Sequence, residues 1–135
     1  PAGIEPYGNL YETVYDEQNK PHNIGFSLPE EVEIYITLQV TPEDDINDFS
    51  ELSEQLRNKI VEYGNNLGVG KDVVVYPYLF SAIAEIQGMK DVWIDIGTSA
   101  SPSGDANIAI NDGSTGSVQV SKWVNDTDHI EIIEV

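Results

Sequence analysis

The most regular pattern in the chain is an alternation from Val32 to Thr41. Val32, Ile34, Ile36, Leu38 and Val40 fall on one face, and Glu33, Tyr35, Thr37, Gln39 and Thr41 on the other. A period of two predicts one long strand with a buried and a wet face, ended by Pro42. A period near 3.6 follows. Phe49, Leu52, Leu56, Ile60, Tyr63 and Leu67 are spaced by three and four, which places them on one stripe of an amphipathic helix. Asp48 and Glu51 have capping-box spacing at its start, and Gly64 and Gly68 are the candidate stops. Leu56 and Ile60, at mid-stripe, are expected in the core.

Weaker patterns flank these two. Leu10 to Asp16 is a β-prone run, Glu17 to Pro21 a polar turn, and Ile24 with Phe26 a return strand, which together predict a hairpin closed off by Pro29. A shorter helix is predicted after Pro77 from Leu79, Ala82, Ile83 and Ile86, with Gly88 as its left-handed cap. Val92, Ile94 and Ile96 alternate with Trp93 and Asp95 as a further strand. In the tail, Ile108 with Ile110, Val118 with Val120, and Ile130 with Ile132 and Val135 suggest three more. Strand, helix, helix, strand, bracketed by strands, implies an α+β fold. The expected form is a two-layer domain with two helices on one face of a mixed or antiparallel sheet, spanning residues 1–135 as one unit.

Composition changes this picture mainly through charge. Six basic against 24 acidic residues give a net charge of −18. Such a surface repels phosphate backbones and anionic lipid, so nucleic acid and membrane are not expected partners. The acid keeps the chain hydrated, or attracts a basic partner surface. No cysteine is present, which excludes disulfides and thiolate chemistry. No apolar run reaches the ~20 residues that span a bilayer. The start at Pro1, without methionine or signal segment, is read as that of a fragment.

Candidate chemistry is sparse. The acid pairs Glu30–Glu31 and Asp44–Asp45 lack surroundings that would raise one pKa and leave the other low, as carboxylate catalysis requires. Asp105, Asn107, Asn111 and Asp112, around Gly104 and Gly113, offer oxygen ligands for calcium but not in EF-hand spacing. His22 and His129 show no zinc or triad partners and read as surface residues. Ser99, Ser101 and Ser103 lie in a small-residue loop without a nucleophile elbow. No catalytic residue, metal site or cofactor is therefore assigned. Among the aromatics, Trp93 reads as core, and Trp123, in the polar run SKWVND, as an exposed anchor.

The stretch GIEPYGNLYETVYDEQNKPHNIGFSLPEEVEIYITLQV resembles a theme of baseplate J-like proteins: a glycine, a short strand, a polar turn, an aromatic strand, a proline and a long alternating strand. The continuation VVVYPYLFSAIAEIQGMKDVWIDI, after the amphipathic helix, is similar to that family's short helix, glycine and strand, and the IAI and IEIIEV segments to its closing strands. The resemblance covers nearly the whole chain and rests on order and spacing. It implies a structural, non-catalytic wedge subunit of a contractile-phage tail baseplate, here the C-terminal part. It also implies assembly in the bacterial host cytoplasm and other baseplate subunits as partners. The competing expectation is a ligand- or sugar-binding module of a secreted or surface protein, and a small acid hydrolase ranks last. For self-association the expected surfaces are the less acidic segments around Lys122 and Trp123 and the terminal strand with Ile130 and Ile132.

Overall fold

The computed structural model describes residues 10–15, 21–26 and 28–135, with side chains from residue 28 onward. Strands β1 (Leu10–Tyr15) and β2 (Pro21–Phe26) pair antiparallel, as the alternation at the start of the chain predicts. The polar turn assigned between them, apart from Pro21, lies outside the described residues.

The long alternating segment is two strands. β3 (Glu30–Glu33) and β4 (Tyr35–Pro42) are separated at Ile34. The break leaves the alternation intact, since Ile34, Ile36, Leu38 and Val40 are all buried. What changes at Ile34 is the neighbour. Ile34 N–H donates to the Lys122 carbonyl, and two residues on Ile36 N–H donates to the His129 carbonyl. The chain thus passes from β6 (Gln119–Lys122), which pairs parallel with β3, to β7 (Ile130–Glu134), which pairs parallel with β4. β5 (Met89–Gly97) lies antiparallel on the other side of β4, giving a three-stranded mixed sheet in the order β5-β4-β7.

Helix α1 (Phe49–Asn65) starts where the capping signal placed it. Asp48 Oδ1 accepts from Ser50 N–H at 3.0 Å and Glu51 N–H at 3.3 Å, satisfying two of the donors a helix leaves free at its start. Its far end departs from expectation. The helix runs through Gly64 and is capped by Asn66, so neither Gly64 nor Gly68 stops it. Gly64 is needed for closeness instead: a Cβ there would fall inside the indole of Trp123.

The second helical segment starts with one wide π-type turn over Val75–Leu79, around a cis Tyr76–Pro77 bond, and continues as α2 (Phe80–Ala84). α2 ends at Ala84 with Glu85 as its cap, short of Gly88. Gly88 does have positive φ, at +112°, but it serves the turn into β5, where Glu43 N–H donates to its carbonyl at 2.8 Å. Leu52, Leu56 and Ile60 of α1 and Leu79 and Ile83 of the second segment pack on the inner face of the sheet. That face presents the rows Ile36–Ile96–Ile130 and Leu38–Ile94–Ile132. Both helices therefore lie on one side of a mixed sheet, an α+β arrangement. In the tail, Ile108 makes only a single bridge to Val73, and Ile110 is buried outside any strand.

Candidate docking surface

With helices on one face, the parity of each strand decides what the other face carries. On β4, inward Ile36, Leu38 and Val40 force Tyr35, Thr37, Gln39 and Thr41 outward. On β5, inward Ile94 and Ile96 force out Asp91, Trp93 and Asp95. On β7, inward Ile130 and Ile132 force out Glu131 and Ile133. The register aligns these into cross-strand rows: Trp93–Gln39–Ile133 in the middle, Asp95–Thr37–Glu131 beside it, and Asp91 next to Thr41. Trp93 is 66% exposed and Ile133 39%. The result is a strip apolar at its ends, with carboxylates on both sides and no cation at these outward positions. Tryptophan is enriched among the residues that carry most of the binding energy at protein interfaces.

The two tryptophans thus exchange the places the sequence suggested. Trp93 stands in solvent because its strand parity leaves it no alternative. Trp123, expected as an exposed anchor, is buried. It packs face-on over Gly64, meets the ring edge of Tyr63 at 5.9 Å and 81°, and donates its indole N–H to Ser121 Oγ at 2.7 Å. The polar run around it hid that Ser121 and Trp123 share one inward parity.

The other surfaces named from sequence are also altered. Lys122 is exposed at the end of β6, 3.8 Å from Glu31. Ile130 is fully buried under α1, so it cannot meet another chain. Ile132 is half-buried and lines an open cleft of about 610 Å³ with Phe49, Ser53 and Arg57 of α1. β7 pairs with β4 along one edge and is the outer strand of its sheet. Arg57 Nε donates to the Ile130 carbonyl at 3.3 Å, which occupies one acceptor there. Leu56 and Ile60 are buried as expected.

Three of the four candidate oxygen ligands, all but Asp105, accept backbone N–H groups. Asn107 Oδ1 accepts from Val75 N–H, Asn111 Oδ1 from Gly113 N–H and Asp112 Oδ1 from Ser114 N–H, at 2.8, 3.0 and 2.9 Å. Hydrogen bonds from Ser114 also hold the Asp112 carboxyl below the usual carboxylate range. Among the described residues no three histidine or acidic side chains are arranged to hold a metal ion, and no helix is long and apolar enough to cross a membrane. Asp44 pairs with Lys90 at 2.8 Å, and Gly104 N–H donates to Asp95 Oδ1 across the serine loop.

One feature had no counterpart in the sequence reading, and the expectation for His129, a surface residue without partners, is corrected. Tyr76 and Tyr78 flank Pro77 as an exposed aromatic pair, 49% and 63% accessible. His129 is not a free surface residue but is held between two carboxylates and a tyrosine ring. No protein-family model matches the chain, and no curated protein matches it.

Proposed function

We propose that this chain is a non-catalytic structural module that joins a larger assembly through the outer face of its three-stranded sheet, as a wedge-type subunit of a phage tail baseplate. The observation that carries the docking reading is the exposed Trp93 on the sheet face opposite the one that α1 and α2 cover. Charge selects the partner. Asp91, Asp95 and Glu131 border the strip on a chain of net −18, so the complementary surface is cationic. The baseplate assignment is supported by the order and spacing of the strands and helices in the sequence.

The test places a photo-crosslinking residue at Gln39, in the centre of the strip, and a control at Glu54 on α1. Both proteins are expressed during phage production and tail particles are purified. The expected result is an adduct from position 39 alone, joined to a lysine- or arginine-rich segment of another tail subunit. Absence of the chain from purified tails sinks the baseplate reading. Incorporation with adducts from position 54 only sinks the docking face. A second reading, a sugar-binding module, draws on the same exposed indole, which could stack on a pyranose ring. Trp93-dependent binding on a glycan array, with no tail incorporation, would select it.

A further inference from the structure

His129 lies in the turn that leads into β7. Its Nδ1 is 2.8 Å from Asp126 Oδ1 and its Nε2 is 3.0 Å from Glu33 Oε1. The ring stacks on Tyr35 with centroids 4.6 Å apart and planes 15° from parallel. The backbone closes the same junction. His129 N–H donates to Asp126 Oδ1, Ile130 N–H to the Asp126 carbonyl, and Ile36 N–H to the His129 carbonyl, at 2.8, 3.0 and 2.7 Å. One imidazole therefore ties the turn before β7 to the end of β3 and the start of β4.

The protonation state follows from donor counting. A neutral imidazole has one N–H and would aim the lone pair of its other nitrogen at a carboxylate oxygen, whereas an imidazolium donates to both. The carboxylates approach opposite edges of the ring, so they do not converge on a common point for a metal ion.

We propose that Asp126, His129 and Glu33 form a proton-operated clasp that pins the turn before β7 to the β3–β4 corner and loosens as His129 loses its proton. This inference goes beyond the docking reading and stands without it. The groups around the ring are acidic on balance. β3 supplies Glu33, the turn supplies Asp126 with Asp128 beside it, and β4 supplies the Tyr35 ring. From β6, Lys122 stands opposite Glu33 in register but turns its ammonium toward Glu31, and from α1 Arg57 reaches the Ile130 carbonyl.

The hydrogen bond to Asp126, then that to Glu33, raises the His129 pKa above its ordinary 6.5, and the bond from His129 lowers the Asp126 pKa below 3.8. A raised histidine pKa gives stability that is complete below the unfolded value and is lost as pH climbs through the folded one. A lowered aspartate pKa gives stability present above the unfolded value and lost as pH falls through the folded one. The clasp is therefore tightest in mildly acidic solution and opens on the alkaline side.

The experiment is an NMR titration of the imidazole protons in the full chain, with His22→Gln assigning the second histidine. The His129 midpoint is expected above 6.5, moving down in both Asp126→Asn and Glu33→Gln. The hydrogen-exchange protection factors of the Ile36 and Ile130 amides should fall across that same midpoint. In His129→Gln they should be flat with pH. A midpoint at or below 6.5, or a titration that leaves both amides unchanged, overturns the clasp. Should His129→Gln fail to fold, the two carboxylate variants read out the same coupling.

Discussion

Replacing Gly64 by alanine sets two known effects against each other. In an exposed helix interior, alanine is favoured over glycine by about 0.8–1.0 kcal/mol. Helix propensity alone therefore expects Gly64→Ala to stabilise the protein. The structure expects the opposite. The new Cβ would fall inside the indole of Trp123, which is 7% exposed and has little freedom to yield. Displacing that ring strains the Ser121 hydrogen bond at 2.7 Å and the Tyr63 edge contact. Overpacking of this kind costs ~1–3 kcal/mol, and a buried indole N–H left without its acceptor costs ~1–3 kcal/mol more. After the propensity gain is deducted, the net expectation is a loss of ~1–5 kcal/mol, centred on ~3 kcal/mol or roughly 10 °C in melting temperature for a chain of this size. Urea unfolding followed by tryptophan fluorescence measures it, with Trp93→Phe in the background so that Trp123 is the only reporter. Trp123→Leu should remove the obstacle, and in that background, with unfolding followed by far-ultraviolet circular dichroism, Gly64→Ala should turn neutral or stabilising. Stabilisation by ~1 kcal/mol with Trp123 in place would refute the argument that contact, not helix formation, fixes this glycine.

Leu56→Ala should lose ~2–5 kcal/mol in the same assay, since the side chain is fully buried between α1 and the sheet; a loss below about 0.5 kcal/mol would mean that this face is not the core face. Gly88→Val should also destabilise, because φ is +112° and an added Cβ would meet Ile46 Cδ1 at 2.7 Å; an unchanged melting temperature would count against that turn. Trp93→Ser should leave stability within about 0.5 kcal/mol while abolishing crosslinking from Gln39, and a large stability loss would show that the indole is a packing residue after all. Raising the salt concentration should weaken the complex with the cationic partner, read by sedimentation, and strengthening instead would contradict charge complementarity.

The elements legible in the sequence were those whose own residues decide them. Asp48 and the 49–67 stripe define α1, and the Ile36, Leu38, Val40 alternation defines β4, because cap chemistry and periodicity are local. Trp93 shows a signal that was present but outweighed. Its position between Val92 and Ile94 already placed it opposite the buried parity, yet the general habit of tryptophan suggested the core. Trp123 and His129 were not legible. Each is defined by residues remote in sequence, Gly64 and Tyr63 for one, Glu33 and Tyr35 for the other. The split at Ile34 belongs with them, since no change in hydrophobic pattern marks a change of neighbour. The outer-face strip was hidden for the same reason: each strand shows its own alternation, but only the register brings Trp93, Gln39 and Ile133 into line.

The parallel pairings of β3 with β6 and of β4 with β7 also bear on how the chain reaches this state. A parallel partner cannot be supplied by a tight turn, and here both partners come from the far side of α1, α2 and β5. Closing such distant pairs costs chain entropy before any contact repays it, which slows folding. Helix α1 and the β4–β5 pair can form from nearer segments, while the seats of β6 and β7 stay vacant until the end of the described chain arrives. Until those strands arrive, the edge of β4 that β7 will occupy stands unpaired, an exposure that favours aggregation.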